Sequence, residues 1–542
     1  MELLRGRLIF FGICSILAFC CISYRIADIM FLGRDQKVSK KSYKEWKTIK
    51  KADILDRNGE LLATSLATAS CYAIPSAVID IDNTADRLSK VLKFKSSEEI
   101  KKKLIDKNKH FVWILRHISP KLQEKILDIG LPGIKFQKDY KRVYIYGNLF
   151  SHVLGHTDID GIGLSGLEKY FDELATKSKS LKKLVSSLDV RLQLILNEEL
   201  NCAISKFNAE GGNAILMSVD GKILAMVSLP DFDPNNIKGS SLKWMFNKNT
   251  LGVFEQGSVL KILNVAIALD SGYAKVNSVF DASNPIRIGK FLIKDFKGKN
   301  RDLTLAEAFV FSSNIASARI AQSFGANVQK AYMKKFGMLD RTELEIFETA
   351  YPILPKHWGD TACMSISYGY GLAVTPLQLL AAVTSIVNGG IKIGPTLIRD
   401  KGPNTSERIR VVSEKTSAIV RDLMRAVVCF GTGKNASIDG VEIFGKTGTS
   451  YKISGKGYGA DGNRKRIATF LGGFPKDNPK YMILISLDDP KPISETFGYA
   501  AAGWNAAPTA KNILNRITPI LCDGYAPSAD EERLMVAKFI TK

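Results

Sequence analysis

This chain of 542 residues lacks cysteines spaced as metal ligands. Three of its eight cysteines fall within the first 24 residues, and the others are widely separated, at Cys71, Cys202, Cys363, Cys429 and Cys522. This scatter excludes a cysteine-based metal site and the framework of a disulfide-stapled fold, although it leaves a single bridge open. Histidine is also scarce, with five residues in the whole chain.

Acidic residues are too few to balance the basic ones, because 54 Asp and Glu stand against 76 Lys and Arg and leave a formal charge of +22. Such a charge suits nucleic acid, anionic lipid or an acidic polymer as a partner. The lysines are spread along the chain, however, and no zinc-finger spacing or aromatic RNA-binding signature accompanies them. We therefore expect no nucleic-acid binding and interpret most of the charge as solvated surface.

One uncharged and mostly apolar run, Leu8 to Tyr24, stands near the start of the chain between arginines. At about 1.5 Å per residue, a helix of this length nearly crosses a hydrocarbon core of roughly 30 Å. No small-x-small cleavage pattern follows the run, which favours an uncleaved anchor over a signal peptide. We expect residues 1–7 in the cytoplasm, a single transmembrane helix at 8–24, and the body outside.

A basic stretch at 25–50 reads as a linker near the lipid surface. Beyond it, Asn58-Gly59 between two short apolar runs predicts a β-hairpin that opens the first domain. Glu98 to Ile129 is charged and predicts helix. The glycine-rich stretch from Tyr144 to Glu168 indicates turns rather than a phosphate cradle.

A second domain is expected to begin near Ser187 with a helix at Val190–Leu200, followed by a hairpin through Asp220-Gly221. Helical segments dominate from Ser258 to about Val387. Strand-like runs then return at Ile443–Thr447, Ile467–Phe470 and Tyr481–Leu487. A sheet with a helical block inserted between its strands fits this order and predicts an α/β or α+β domain.

Ser258-Val259-Leu260-Lys261 is the first candidate for chemistry, at the start of an almost wholly apolar helical run. Residues three apart share a helix face, which would set the Ser258 hydroxyl beside the Lys261 amine. Desolvation favours the neutral amine, the form that accepts a proton from serine. Alone, this spacing is a weak signal, since most such pairs lie on helix surfaces.

Ser312-Ser313-Asn314 is the second candidate, at the junction between two predicted helices. Serine and asparagine are common turn and cap residues, so a structural role is the simpler interpretation of this segment taken alone. Beside a serine and a lysine, however, a further hydroxyl can pass protons while an amide holds a substrate carbonyl.

Lys446-Thr447-Gly448-Thr449 is the third candidate and ends a strand-like run. Gly448 has no side chain to obstruct an extended peptide, and the hydroxyls of Thr447 and Thr449 suit a carboxylate.

Two other chemistries are disfavoured. Gly440 to Thr447 matches the nucleotide P-loop pattern, but a P-loop needs a flexible turn after its strand and a helix after its lysine, whereas Val441–Phe444 is itself strand-like. Serine–histidine–aspartate catalysis is disfavoured because no histidine falls in the three candidate segments; all five lie elsewhere, at His110, His117, His152, His156 and His357.

Together and in this order, the three segments resemble the active-site set of penicillin-binding proteins and serine β-lactamases. The resemblance covers roughly Ser187 to Ile517. Asp56 to Gly59 and the stretch ending at Gly166-Leu167-Glu168 resemble the pedestal of class B penicillin-binding proteins. Tyr368 to Leu372 and Gly431 to Lys434 resemble the division-specific, FtsI-type enzymes. Three positions depart from the family pattern: Lys51-Ala52 replaces Arg-Gly, Ile145 replaces a proline, and Gln256 replaces a proline before the nucleophile.

This resemblance implies a pedestal or dimerisation-like α+β domain at 51–185, a transpeptidase domain with an antiparallel sheet flanked by helices at 186–520, and a tail at 521–542. It implies a peptidoglycan D,D-transpeptidase in septal synthesis, held in the bacterial inner membrane with its catalytic domain in the periplasm. Stem peptides would be substrates and β-lactams inhibitors, and a membrane glycosyltransferase and division proteins would be partners. No metal or other cofactor is implied.

The same resemblance implies the residue roles. Ser258 is the nucleophile, Lys261 its base, Ser312 a proton relay and Asn314 a holder of the acyl chain. Lys446, Thr447 and Thr449 receive the terminal carboxylate, and Gly448 belongs to the substrate-binding strand as the residue that lets the peptide approach. The backbone amides of Ser258 and Thr449 form the oxyanion hole. Two alternatives stay open at this point: a non-enzymatic scaffold that activates a glycosyltransferase, and a β-lactam sensor or β-lactamase.

Overall fold

The computed structural model describes residues 2–27, 50–177, 183–239, 241–288, 291–400, 409–452 and 464–521. The chain divides into two units, Met1–Ile49 and Lys50–Lys542. In the first, the described residues form helix α1, Glu2–Ala27. Among the helices in the described ranges, none meets the combined length and hydropathy needed to cross a membrane. Most of the expected linker and tail lie outside the described residues.

The second unit mixes helices and strands. The helices are α2 Ile81–Leu92, α3 Ser97–Leu104, α4 Pro120–Leu127, α5 Ser151–Leu154, α6 Gly166–Lys177, α7 Val190–Lys206, α8 Lys261–Asp270, α9 Leu305–Val310, α10 Asn314–Lys335, α11 Asp360–Ser367, α12 Pro376–Val387, α13 Glu414–Phe430 and α14 Ala506–Leu521. The strands are β1 Asp53–Leu55, β2 Leu61–Ala73, β3 Val112–Ile118, β4 Ile134–Tyr144, β5 Lys183–Val185, β6 Gly211–Ser218, β7 Ile223–Leu229, β8 Phe254–Glu255, β9 Val279–Phe280, β10 Ile286–Ile288, β11 Phe291–Ile293, β12 Leu303–Thr304, β13 Ala373–Val374, β14 Phe444–Tyr451, β15 Arg466–Phe474 and β16 Tyr481–Asp488.

A five-stranded sheet forms the first domain. Its path runs β3-β2-β1-β5, and β4 also pairs with β2. The hairpin predicted at Asn58-Gly59 is confirmed, since β1 and β2 pair antiparallel on either side of it. The helix predicted from Glu98 to Ile129 is wrong in its middle, where β3 separates α3 from α4. The apolar and β-branched residues of Val112–Ile118 find a partner in β2, and this pairing outweighs the helical character of the flanks.

Buried charges join the start of this domain to α6. The Lys51 ammonium lies 2.8 Å from a Glu168 carboxylate oxygen, and the Arg142 Nε lies 2.6 Å from the other oxygen. Glu168 has no exposed surface, so its charge depends on these two partners. Nearby, Ile145 donates its backbone N–H to Leu62 O at 3.0 Å. The proline usual at this position has no such donor.

A second sheet, entirely antiparallel, organises the rest of the unit in the order β14-β15-β16-β6-β7. The predicted hairpin at Asp220-Gly221 and the three returning strands are confirmed. Side chains alternate between two faces of the sheet. Ile215 and Met217 belong to the core that contains α8, whereas Ala214 and Leu216 belong to a core shared with α7 and α14. The sheet is therefore flanked by helices on both faces.

Between β7 and β14 lies the inserted helical block, which includes α8 to α13 and several short strands. Helix α8 is its centre, with eight of its ten residues buried, Lys261 among them. A helix that is apolar nearly all round is expected in a core rather than on a surface. This burial places the one lysine of α8 out of contact with solvent.

Candidate active site

Ser258 lies on a single 3₁₀ turn, Gly257–Leu260, that leads directly into α8 at Lys261. The sequence predicts that the α-helix begins at Ser258, three residues too early. In a 3₁₀ turn, residues three apart eclipse one another along the axis. The turn thus keeps Ser258 on the side of the helix from which Lys261 projects. Ser258 is partly exposed, whereas Lys261 is fully buried.

Strand β14 packs against this turn. A Cβ atom built on Gly448 would lie 2.6 Å from Gln256 O and 3.0 Å from Val259 N, and one built on Gly257 would lie 2.7 Å from Thr449 O. Such distances are shorter than real Cβ contacts. Gly448 is therefore needed for the close approach of the strand to the turn that carries Ser258. The sequence suggested an approach by substrate and did not reveal this internal contact.

Ser312 occupies the junction between α9 and α10. The capping box predicted at Thr304 and Glu307 is confirmed and starts α9. Ser312 has φ +61°, a left-handed conformation that residues other than glycine rarely adopt, and Ser313 then caps α10 with its side chain. This sharp reversal directs the Ser312 hydroxyl and carbonyl towards Lys261.

The side chains of four candidate residues meet through hydrogen bonds. Lys261 Nζ lies 2.6 Å from Ser312 O, 3.1 Å from Ser312 Oγ and 2.8 Å from Asn314 Oδ1. Lys446 Nζ lies 3.0 Å from the same Ser312 Oγ and 3.1 Å from Thr447 O. Segments more than 180 residues apart in sequence thus converge on one hydroxyl.

Burial makes both amines unusual. It lowers the pKa of Lys446 to about 7. It also lowers the pKa of Lys261 well below that of an exposed lysine; the charge of Lys446 lowers it further, while the carboxylate of Asp295 opposes the shift. Two like charges beside one hydroxyl repel each other, so the pair favours states with at least one neutral amine. A neutral lysine amine is a proton acceptor.

Thr447 and Thr449 face the opposite side of β14 from Lys446, as the two-residue period of a strand requires. Thr447 Oγ1 lies 2.6 Å from Thr432 Oγ1, and Thr449 Oγ1 accepts a hydrogen bond from Ala502 N at 3.0 Å. Thr432 belongs to the Gly431–Lys434 segment. Sequence reasoning noted that segment for its family resemblance but did not assign it a place beside β14.

The segment around Gly369 packs against the turn that carries Ser258. Gly257 N donates to Gly369 O at 3.2 Å, and a Cβ built on Gly369 would lie 1.9 Å from Gly257 O. Gln256 donates its side-chain N–H to Val374 O at 3.0 Å. The glutamine that replaces the usual proline therefore ties the turn to β13.

The disfavoured chemistries find no support in the geometry. Lys446 lies within strand β14, which continues to Tyr451, where a P-loop would have the start of a helix. His152 Nε2 lies 2.7 Å from Trp244 O, and burial lowers its pKa to about 4. His156 Nδ1 lies 2.9 Å from Ser165 Oγ. His152 thus joins the first domain to the segment around Trp244 in the second, and His156 contacts a residue of the first domain.

Comparison with known proteins matches residues 212–515 to the penicillin-binding protein transpeptidase domain and residues 50–186 to the penicillin-binding protein dimerisation domain. The probable peptidoglycan D,D-transpeptidase FtsI of Caulobacter vibrioides is 34% identical over 87% of this chain and 81% of its own length. The probable peptidoglycan D,D-transpeptidase PenA of Neisseria meningitidis is 30% identical over 88% of this chain and 85% of its own.

A solved structure, of a peptidoglycan synthetase from Bifidobacterium adolescentis, has the same fold, with a TM-score of 0.69 and 21% identity over 88% of this chain and 96% of that one. Both domains, in the same order, and the relatives over most of their length agree with the resemblance carried by the three motifs. The chain belongs to the class B penicillin-binding proteins and is a peptidoglycan D,D-transpeptidase.

Proposed function

We propose that Ser258 is the nucleophile of this transpeptidase and that Lys261 is its general base. The Ser258 hydroxyl attacks the carbonyl carbon between the two terminal D-alanines of a stem peptide, and its proton passes to the neutral Lys261 amine. Ser312 relays a proton to the leaving nitrogen, and D-alanine departs. The amine of a second stem then attacks the acyl ester, which releases Ser258 and forms the cross-link.

The observation that carries this proposal is the pair of buried lysines on Ser312. A relay needs a hydroxyl within hydrogen-bond distance of both the base and the leaving group. Ser312 Oγ lies 3.1 Å from Lys261 Nζ and 3.0 Å from Lys446 Nζ. Burial lowers the pKa of Lys261, which favours the neutral amine that the first step requires.

Asn314 is proposed to hold the acyl chain. The Asn314 amide oxygen accepts a hydrogen bond from Lys261 Nζ at 2.8 Å, and the amide nitrogen donates to Lys294 O at 2.9 Å. An amide nitrogen carries two N–H groups. The second would donate to a carbonyl of the stem peptide.

The oxyanion hole is proposed at the backbone N–H groups of Ser258 and Thr449. The close approach of Gly257 to Thr449 supports this pairing, since it sets the two backbones side by side. One such donor is worth about 3 kcal/mol of transition-state stabilisation. Thr447 and Thr449 would bind the terminal carboxylate from one face of β14, Gly448 would let the peptide approach the strand, and Lys446 would add positive charge from the other face.

The test is acylation of the detergent-solubilised full chain by a fluorescent penicillin, followed by intact mass and peptide mapping. We expect a slowly hydrolysed adduct on Ser258 and none in Ser258→Ala. Ser323→Ala, at an exposed helical serine, is the matched control and should label like the wild type. An adduct that persists in Ser258→Ala would overturn the assignment. Rapid turnover would favour a β-lactamase, and a folded chain without adduct would favour the scaffold.

The domain boundaries and cellular placement are also proposals. We assign a cytoplasmic start at 1–7, an anchor at 8–24, a linker at 25–50, a pedestal at 51–185, a transpeptidase domain at 186–520 and a tail at 521–542. The anchor is supported by the uncharged run in α1, whose large apolar side chains are exposed at Phe10, Ile13, Ile16, Leu17, Phe19 and Ile22. Resistance of the chain to alkaline extraction from inner membranes, with the body digestible from the periplasmic side, is the expected result.

Septal synthesis with a membrane glycosyltransferase as partner is proposed from the FtsI-type segments Tyr368–Leu372 and Gly431–Lys434. Imaging of a tagged chain in dividing cells should show a band at midcell. An even distribution along the side wall would contradict the septal role while leaving the transpeptidase activity unaffected.

A further inference from the structure

We infer that Asp295 is a positioning residue of this site: its carboxylate fixes the start of α10, from which Asn314 reaches Lys261. The inference rests on the proposed roles of Lys261 and Asn314. Asp295 stands outside all three motifs, 18 residues before Ser313.

The Asp295 carboxylate bonds three consecutive residues. One oxygen accepts the backbone N–H of Asn314 at 2.5 Å and that of Ile315 at 3.1 Å, and the other accepts the Ser313 hydroxyl at 2.7 Å. The first N–H groups of a helix have no partner within the helix, and a negative charge there is stabilising. Asp295 supplies both the acceptors and the charge to the turn that carries Asn314.

Lys294, the residue before Asp295, also contacts Asn314. Lys294 O accepts from Asn314 Nδ2 at 2.9 Å, while Asn314 Oδ1 accepts from Lys261 Nζ at 2.8 Å. The backbone and both ends of the Asn314 amide are therefore fixed at once. Without the Asp295 contacts, the amide would keep its partners but lose the backbone anchor that sets its distance from Lys261.

The loop that bears Asp295 is itself held from the other direction. The Phe296 ring lies 6.3 Å from the Tyr499 ring, centroid to centroid, and Lys297 Nζ lies 4.5 Å from the Tyr499 centroid. Tyr499 precedes Ala502, which donates to Thr449 on β14. The loop that carries Asp295 thus contacts both the start of α10 and Tyr499. These contacts hold the Asp295 carboxylate in place at the start of α10.

The charge of Asp295 also reaches the proposed base. Lys446 and Asp295 are the charged groups that act on Lys261, with Ser312 and Asn314 as its uncharged partners. Lys446 lowers the pKa of Lys261 and Asp295 raises it, both against a background of strong desolvation. Removing the Asp295 charge should therefore lower that pKa further. The acid limb of the acylation rate would then move to lower pH, because the neutral amine would persist there.

The test is the second-order rate of acylation by a fluorescent penicillin, measured from pH 5 to pH 10 on the full chain in detergent. Asp295→Asn removes the charge and keeps an acceptor, while Asp295→Ala removes both. Asp281→Asn is the matched control, because Asp281 is exposed and its carboxylate bonds Ser283. Thermal unfolding of each variant reports the folded fraction.

We expect Asp295→Asn to acylate about tenfold more slowly and Asp295→Ala about a hundredfold more slowly, because small displacements of reacting groups have large effects on rate. Relative to the wild type, the acid limb should move to lower pH in both Asp295 variants and stay in place in Asp281→Asn. A rate equal to that of Asp281→Asn with an unmoved limb would overturn the inference, as would a loss explained by unfolding alone. Failure of the wild type itself to label at Ser258 would instead overturn the proposed function.

Discussion

Lys261 and Lys446 lie within hydrogen-bond distance of the same hydroxyl, that of Ser312, at 3.1 and 3.0 Å. Neither ammonium group has exposed surface. Burying two charges of the same sign beside each other costs free energy, so protonation of one amine opposes protonation of the other. The two lysines should titrate as a coupled pair whose pKa values belong to the pair.

Lys446→Met should move the acid limb of the acylation profile to higher pH. The charge of Lys446 lowers the pKa of Lys261, so its removal raises that pKa and leaves less neutral amine at a given pH. On the acid limb, acylation should fall by about tenfold for each unit by which that pKa rises. The profile is measured with a fluorescent penicillin. A limb that stays in place or moves to lower pH would show that Lys446 does not act on the base.

Ser312→Ala and Ser312→Gly separate the hydroxyl from the backbone. Both remove the proposed relay and should slow acylation by at least about 100-fold, as for loss of a general acid or base. At φ +61° alanine keeps the strain that glycine relieves, by about 1 kcal/mol, so the glycine variant should unfold at the higher temperature. Equal rates with unequal stabilities would assign the effect to the hydroxyl. A fast glycine variant would contradict the relay.

The sequence is informative where one local pattern decides the structure. Asn58-Gly59 and Asp220-Gly221 predict the two hairpins, and Thr304 with Glu307 predicts the start of a helix. Three short motifs in this order resemble those of a known family, and this resemblance predicts that Lys261, Ser312 and Lys446 lie in one site. Their spacing alone does not predict it.

Long-range contacts explain what was missed. Asp295 follows a two-stranded ribbon and has no motif around it, so only the fold shows that its carboxylate caps α10. The sequence predicts helix at Val112–Ile118 because the flanks of this strand are helical and its partner β2 begins about 50 residues earlier. In both cases the local structure depends on a partner that is distant in sequence.

Gly448→Ala should displace the Ser258 turn. The added Cβ would meet Gln256 O at 2.6 Å and Val259 N at 3.0 Å, and backbone atoms cannot rotate away. Overpacking of this kind costs about 1–3 kcal/mol, and a shift of the proposed nucleophile, Ser258, by about 1 Å can cost about 100-fold in rate. Gly394→Ala is the control, since no atom lies within 4 Å of its Cβ position. Acylation rate and unfolding temperature are measured for both, and wild-type rates in Gly448→Ala would contradict the contact.

Glu168→Gln should loosen the pedestal and spare the catalytic site. The substitution leaves Lys51 and Arg142 buried without their shared carboxylate, although Asp172 still lies 2.8 Å from Lys51 Nζ. Breaking a buried ion pair from one side costs about 3–5 kcal/mol. Because the chain has several domains, a single unfolding free energy is a poor measure, and hydrogen exchange resolved by peptide is the better one.

Exchange should accelerate in β2, whose Ser65 hydroxyl bonds Lys51 O, and stay unchanged in β14. Asp400→Asn breaks an exposed pair with Arg399 and should leave both strands as they are, since such pairs contribute little. Penicillin labelling of Glu168→Gln at the wild-type rate would show that the ion cluster acts within the pedestal. Unchanged exchange in β2 would show instead that Asp172 and water compensate for the lost carboxylate, and that the cluster does not hold this sheet.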